Sequence, residues 1–313
     1  LETPVDIAVV GEEWYVLQEI PGNLISINPK TGKRKEIARD FLHPTAFTVD
    51  HEGTIYVVEF ETGALLKVEG KNKAMEIGVV LLDRPSDILF MPPDRLAVAE
   101  QVGWDGVGGR VRILDFQGEI LYEFHDLTDP TGLALHKDNT LYATVFALPA
   151  KPKPEGMGGV VRLKQGQDVH ILVRDLLAPT HLLVDSHDRL VVLEEPTDSI
   201  YRYSEDFGNR SALIEGFGPI LQAGLFPDGM VAVIESGILE RVRVGGNEKP
   251  MATWASPAVG NWQYAVLGVD SLGRMYLADP FQNNLTIYDS LGHVIDTIRG
   301  VAPSLMAPTD DGG

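Results

Sequence analysis

The chain has no cysteine among its 313 residues, so it cannot form disulfides, thiolate metal sites or a cysteine nucleophile. It has no apolar run long enough to cross a bilayer, and no stretch of ten residues shows a helical period. The motifs of serine hydrolases, zinc metalloproteases, P-loop proteins and dinucleotide-binding proteins are also missing. We therefore expect no membrane-spanning helix and none of the enzyme classes that these motifs mark.

Positive charge is scarce. Lys and Arg number 26 against 45 Asp and Glu, which gives a net charge of −19. Nucleic acid is therefore not expected as a partner, because its phosphates would be repelled. Hydrophobic residues make up 44% of the chain, which indicates a folded protein. We expect a soluble protein that is extracellular or periplasmic, since cysteine-free exported proteins are common.

What the sequence does contain is a repeat of about 40 to 50 residues that returns seven times. In each unit a Pro opens an apolar strand, a tight turn follows, and a second apolar strand ends on an acidic residue, as in Pro44–Glu59. Two weaker strands close the unit. The openers are Pro4, Pro44, Pro85, Pro130, Pro179 and Pro219, with Tyr264 in the seventh position. Such a period with several short strands predicts a β-propeller.

We predict an all-β fold, a seven-bladed β-propeller of four-stranded antiparallel blades. Second strands such as Ile55–Val58 are apolar throughout, as expected between stacked blades, and fourth strands such as Val294–Ile298 are the most polar. Six blades are the alternative, if the degenerate sixth repeat, Pro219–Ala255, is not a blade. We expect one domain over residues 1–300 and a flexible tail at 301–313.

Six units place a carboxylate just after the second strand, and we call these residues the ring acids. They are Glu19, Glu59, Glu100, Glu194, Glu235 and Asp279, and Thr144 takes the position in the fourth unit. In a propeller the first-strand starts share this face, which adds Asp6, Asp87 and His181. Two carboxylates about 8 Å apart repel by roughly 2 kcal/mol at an effective dielectric near 20. Close acids must therefore hold a cation, keep protons or point into water.

A cation among these oxygen ligands favours Ca²⁺ or another divalent ion. The candidate metal ligands are Asp6, Glu19, Glu59, Asp87, Glu194, Glu235 and Asp279. His181 and Glu100 are the candidates for proton transfer. The structural alternative is that each ring acid accepts hydrogen bonds from backbone N–H groups of the next loop or blade.

Two long loops, at 101–109 and 146–159, are expected side by side on the same face. Trp104 and Phe146 lie in them, Phe60 and Phe281 follow ring acids, and Trp262 precedes the seventh unit. Aromatic faces beside carboxylates suit sugars or cations. We therefore expect a small molecule, a glycan or a protein to bind at the loop face of blades three, four and seven.

The repeated phrase in Pro44–Glu59 and in Tyr264–Asp279 resembles NHL-repeat propellers, and it is similar to the wider gluconolactonase and strictosidine-synthase-like group. The resemblance spans roughly Pro4 to Gly300. In gluconolactonase-like members it implies a divalent metal in the channel, held by Glu and Asn or Asp residues near strand starts. Thr131 stands where such relatives have the Asn of Pro-Asn-Gly, so Asp6, Asp87 and Glu19 are the expected substitutes.

Three functions remain open. A non-catalytic module would bind its ligand or partner at the acidic channel mouth. A metal-assisted, lactonase-like hydrolase or lyase would act on a small cyclic or sugar-like substrate, with the metal polarising a carbonyl. A structural or assembly role is the third. Binding is favoured, because no metal-ligand set is complete in the sequence.

Overall fold

The computed structural model describes most of the chain in separate ranges. They are residues 4–10, 13–28, 33–68, 74–78, 81–101, 108–148, 157–185, 187–194, 199–204, 207, 209–214, 220–226, 228, 230–235, 241–246, 249–255, 266–269, 272–279 and 284–299. The expected tail at 301–313 lies outside these ranges.

Every regular element in the described ranges is a β-strand. Two four-stranded sheets come first, with β1 (Pro4–Val10), β2 (Glu13–Gln18), β3 (Asn23–Ile27), β4 (Arg34–Ala38), β5 (Pro44–Val49), β6 (Ile55–Glu59), β7 (Leu65–Val68) and β8 (Ala74–Glu76). The next seven strands form one sheet, with β9 (Pro85–Met91), β10 (Arg95–Glu100), β11 (Gly109–Asp115), β12 (Ile120–Leu135), β13 (Leu141–Ala147), β14 (Met157–Leu163) and β15 (His170–Leu177).

Three further four-stranded sheets complete the chain. They contain β16 (Pro179–Val184), β17 (Leu190–Glu194), β18 (Ser199–Tyr203), β19 (Arg210–Ile214), β20 (Ile220–Leu225), β21 (Val231–Glu235), β22 (Arg241–Gly246), β23 (Lys249–Ala255), β24 (Val266–Val269), β25 (Met275–Asp279), β26 (Asn284–Tyr288) and β27 (Val294–Arg299). Neighbouring strands in each sheet pair antiparallel in chain order. The prediction of four-stranded antiparallel units is thus confirmed for these sheets.

The seven-stranded sheet exists because β12 is 16 residues long. Its first half, 120–127, pairs with β11, and its second half, 128–135, pairs with β13. The chain thus passes from one set of strands to the next without a loop. Pro130 lies within this strand rather than opening a new one.

An aspartate caps the tight turn in the repeated phrase. One oxygen of Asp50 accepts hydrogen bonds from the N–H groups of Glu52 and Thr54, at 2.9 and 2.8 Å. Asp185 makes the same pair of bonds after β16. Because side chains of this kind satisfy turn N–H groups, Asp recurs where the first strand ends.

The core lies between the faces of adjacent sheets. All five side chains of β6, of β17 and of β25 are buried, as the apolar second strands predicted. Trp14 packs edge to face against Tyr276, which joins the first sheet to the last. In agreement with this contact, β1 lies against both β5 and β24.

The first strands also bond directly to one another. In three successive units the residue after the opening Pro donates its hydroxyl to the carbonyl of the next opening Pro. These bonds are Thr45 to Pro85 at 2.9 Å, Ser86 to Pro130 at 2.7 Å, and Thr131 to Pro179 at 2.7 Å. The repeated Pro therefore marks a fixed junction between neighbouring first strands.

Candidate functional site

Three ring acids are buried and bind the backbone of the segment that precedes the first strand of their own unit. In each case the N–H donor lies 17 residues earlier, two residues before the opening Pro. The bonds run from Leu42 to Glu59 at 2.7 Å, from Asp83 to Glu100 at 2.6 Å, and from Leu177 to Glu194 at 3.4 Å. This arrangement agrees with the structural alternative for these three carboxylates.

Glu100, the second predicted proton-transfer residue, has no exposed surface. Its carboxylate lies 3.2 Å from Arg110 Nη2 and 3.1 Å from Arg112 Nε. Burial raises the pKa of Glu100, and the Asp83 N–H and the two guanidinium groups oppose that rise. Because these partners enclose the carboxylate, a ligand in the channel has no access to it.

The strand register moves the ring position by one residue in the first sheet. Pro4 pairs with Gln18, in the way that Pro44 pairs with Glu59. Gln18 is buried, whereas Glu19 is partly exposed and lies 3.1 Å from His43. The ring position of this sheet is therefore neutral.

The same shift occurs beside β12. Pro130 pairs with Val145, and Thr144 pairs with Gly132 one position further in. Thr144 is thus not the equivalent of the ring acids, contrary to the prediction. Glu235 does take a ring position, since Ile220 pairs with it, and Asp279 is buried at the end of β25.

A second set of positions lies on the first strands, two residues after the opening position. The strand register shifts at this point in each of six units, which is typical of a β-bulge. We call these residues the inner wall, because the first strands contact one another around the centre of the fold. They are Asp6, Ala46, Asp87, Gly132, His181 and Gln222.

Asp6 and Asp87 are held in the same way. One oxygen of Asp6 accepts the N–H of Ile7 at 2.7 Å, and the other accepts the N–H of Phe47 in the next sheet at 2.9 Å. Asp87 likewise accepts the N–H of Leu133, on the second half of β12, at 2.8 Å. Each carboxyl group is therefore fixed in position and links two first strands.

Both carboxyl groups have strongly raised pKa values. Burial raises the pKa of Asp6 to about 7, and the charge of Asp87 raises it too, against the hydrogen bonds from Phe47 and Ile7. Burial also raises the pKa of Asp87 to about 7. Ala46 is the inner-wall residue between them. The two groups therefore change charge close to neutral pH.

His181 belongs to the same inner wall, beyond Gly132. Solvent reaches its ring, and Nδ1 lies 3.1 Å from the Thr180 hydroxyl. The surrounding protein lowers the pKa of the imidazole below its usual value, so the ring is neutral at pH 7. In order around the wall, ionisable residues thus alternate with Ala46 and Gly132.

Of the remaining predicted ligand-binding residues, the structure describes Phe60 and Phe146, and neither takes an inner-wall position. Phe60 is half-buried and Phe146 is 45% exposed. Trp104, Trp262 and Phe281 lie outside the described ranges, as does the side chain of Glu235. Within those ranges, no group of three or more His, Asp or Glu side chains could hold a metal ion. There, too, no helix is long and apolar enough to cross a membrane.

Comparison with known proteins identifies the fold. No protein-family model matches the chain, and no curated protein matches it. Virginiamycin B lyase from Staphylococcus aureus is similar in structure, with a TM-score of 0.69 and 15% identity over 88% of this chain and 91% of that one. Hydrazine synthase from Kuenenia stuttgartiensis gives a TM-score of 0.72 and 16% identity over 94% and 97%.

The PQQ-bound aldose sugar dehydrogenase from Streptomyces coelicolor is a more distant match. Its TM-score is 0.57, with 12% identity over 79% of this chain and 94% of that one. At such identities the likeness shows the fold alone. The all-β propeller that the repeat and the NHL resemblance predicted is confirmed.

Proposed function

We propose that this propeller binds a small cationic ligand at its inner wall, against Asp6 and Asp87. The proposal is carried by one observation, namely that the two acids take equivalent positions in the sheets of β1 and β9 with only Ala46 between them. Both are hydrogen-bonded to backbone N–H groups and so need no rearrangement to receive a ligand.

The chemistry of the two carboxyl groups favours a cation. Each oxygen accepts a single backbone N–H, which leaves lone pairs for an ammonium or guanidinium group. Carboxylates that are surrounded by protein attract a cation more strongly than carboxylates in open water. The net charge of −19 also attracts cations to the molecule as a whole.

Calorimetric titration with putrescine tests the proposal, since a diamine carries one ammonium group for each acid. We expect saturable binding that strengthens between pH 5 and pH 8, because the cation favours the ionised carboxylates, with about one proton released per ligand near pH 7. Asp6→Asn and Asp87→Asn should each weaken binding about tenfold. Glu119→Gln, which removes an exposed acid elsewhere, is the matched control.

Equal affinity in the two variants and the wild type would contradict the proposal, as would tighter binding at pH 5. A parallel titration with CaCl₂ addresses the divalent cation. Three results together would show a metal site in place of an amine site: Ca²⁺ binds at Asp6 and Asp87, putrescine does not bind, and EDTA lowers the Tm.

An enzyme that moves protons at this wall is the second candidate. The observation in its favour is that the inner wall carries two carboxyl groups of pKa about 7 and, beyond Gly132, the imidazole of His181, whose pKa is lowered. Propellers host enzymes and binding modules alike, so the fold does not decide between them. A panel of lactones and sugar esters, assayed with and without EDTA, tests this candidate. Turnover that His181→Ala abolishes and Glu119→Gln preserves would support it.

We also infer seven blades. The two halves of β12 pair with different neighbours, and division between Leu127 and Thr128 gives two four-stranded blades from the seven-stranded sheet. Together with the five four-stranded sheets, this division gives seven. An experimental structure with six blades, or with these seven strands in one blade, would contradict it.

A further inference from the structure

A cavity of about 340 Å³ lies where β12 leaves β11 and approaches β13–β15. Its floor is apolar and is formed by Phe124, Leu127, Val145 and Val161, which are all buried. Polar side chains stand around its edge, namely Glu123, His125, Asp126, Gln167 and Asp168. We call it the β12 cavity. None of the inner-wall residues lines it.

A bulge in β12 produces the shape of this site. Gly109 pairs with Leu127 and Val111 pairs with Phe124, so a step of two residues along β11 corresponds to a step of three along β12. The extra residue bends the strand and increases its twist, and Asp126 has a φ of 60° at this point. The buried Phe124 and Leu127 then contribute to the cavity floor, while His125 and Asp126 between them are exposed.

The backbone is held close to β11 at the same place. A Cβ on Gly109 would lie 2.5 Å from the Leu127 carbonyl oxygen and 2.7 Å from Pro130 Cδ. The bend is therefore built by a glycine that lets the two chains approach. It is a fixed feature of the fold, and the cavity does not depend on loop movement.

The acids at the edge differ in their partners. Glu123 is held by Arg112 Nε at 2.6 Å and by His125 at 3.4 Å. Asp126 and Asp168 make no side-chain hydrogen bond or ion pair with any residue that the structure describes. Two carboxylates at the mouth of an apolar cavity are thus available to a ligand.

We propose that the β12 cavity binds a small lipophilic amine, with the apolar body against Phe124 and Val161 and the ammonium group between Asp126 and Asp168. Charge complementarity selects this occupant, because an anion would meet two carboxylates and a neutral compound would leave them unused. At about 30 Å³ for each water, the volume equals roughly eleven waters, which suits a phenylalkylamine. This site is independent of the inner wall.

Ligand-observed NMR titrations with 2-phenylethylamine, 2-phenylethanol and 3-phenylpropionate test the proposal. Each titration is run on the wild type and on an Asp6→Asn/Asp87→Asn variant, so that binding at the inner wall is removed. We expect the amine to bind about tenfold more tightly than the alcohol, and the carboxylate more weakly than either. Asp126→Asn and Asp168→Asn should each weaken amine binding about threefold, and Glu119→Gln should not.

Val169→Phe locates the bound compound. Val169 lines the cavity at a half-buried position outside the strands, where it packs against the buried core beneath the cavity, so a larger side chain there occupies the space beside that core. We expect this variant to remain folded and to lose amine binding. Equal affinity for amine and alcohol, unchanged binding in Asp126→Asn/Asp168→Asn, or unchanged binding in a folded Val169→Phe variant would overturn the proposal.

Discussion

The Glu59 carboxylate accepts a hydrogen bond from the backbone N–H of Leu42 at 2.7 Å, and the Thr62 hydroxyl donates to its second oxygen at 2.6 Å. Glu59 is buried, and each of its two carboxylate oxygens accepts one of these hydrogen bonds. The same bond to an N–H 17 residues earlier recurs at Glu100 and Glu194. In these three units the acidic repeat position therefore fixes the chain path into the first strand.

Replacement of Glu59 measures the strength of this link. Glu59→Ala leaves the N–H of Leu42 without its acceptor, so we expect a loss of about 2 kcal/mol in the free energy of unfolding. Glu59→Gln keeps one acceptor oxygen and should lose less. Chemical denaturation measures both, with the exposed Glu61→Gln as control. A Glu59→Ala variant as stable as that control would show that the bond contributes nothing.

The ring was predictable from sequence because the acid follows the second strand at a constant place. Its exact members could not be predicted, because a place just after the second strand does not fix which residue pairs with the first residue of the unit. The register of β1 against β2 puts Gln18, and not Glu19, opposite Pro4. In the sixth unit the register begins at Ile220, so Gln222 takes the inner-wall position that sequence counting missed.

Ion pairs between neighbouring strands could not be predicted from the sequence either. Glu100 was predicted to transfer protons because it carries a carboxylate near a channel. Only the register between β10 and β11 places Arg110 opposite Glu100 and Arg112 two residues on. By contrast, Asp6, Asp87 and His181 were predicted correctly to share the first-strand positions, since each follows its Pro by two residues.

A double-mutant cycle tests the buried ion pair of Glu100 and Arg112. Arg112 is 5% exposed and contacts both Glu100 and Glu123. Arg112→Met should destabilise the protein by about 3 kcal/mol, because it leaves a buried carboxylate with less compensation. Glu100→Gln in the same chain should recover part of that loss. If the two losses simply add, the guanidinium does not act through Glu100.

The raised pKa values of Asp6 and Asp87 predict how stability depends on pH. In the folded chain both groups keep their protons up to about pH 7, whereas in the unfolded chain they release them near the ordinary value of 3.8. The folded state therefore binds more protons between pH 4 and pH 7. Each group contributes stability that is fully present below about pH 4 and is lost as the pH rises to 7.

Between pH 4 and pH 7 the free energy of unfolding should therefore fall less in Asp87→Asn than in the wild type. We expect the difference to be about 1 to 2 kcal/mol, because solvent screening reduces the effect of the raised pKa. Denaturation curves at half-unit pH steps measure this difference between variant and wild type. Asp126→Asn, at an exposed acid, serves as control. A steeper decline in Asp87→Asn than in the wild type would reverse the sign and contradict the assignment.

The residue before the opening Pro adopts a left-handed backbone in four successive units. The φ angles are 51° at His43, 47° at Arg84, 40° at Asp129 and 39° at Ala178. In the left-handed region the Cβ of a non-glycine residue is sterically strained, and Ala178 has no polar side chain whose hydrogen bond could offset that strain. Glycine removes the penalty at the cost of greater freedom in the unfolded chain. We expect Ala178→Gly to raise the free energy of unfolding by about 0.5 kcal/mol, as measured by denaturant titration.

Ala143→Gly, at a buried position within β13, is the matched change and should lower the free energy of unfolding by about 1 kcal/mol. If both variants lose stability equally, the left-handed backbone at Ala178 carries no strain.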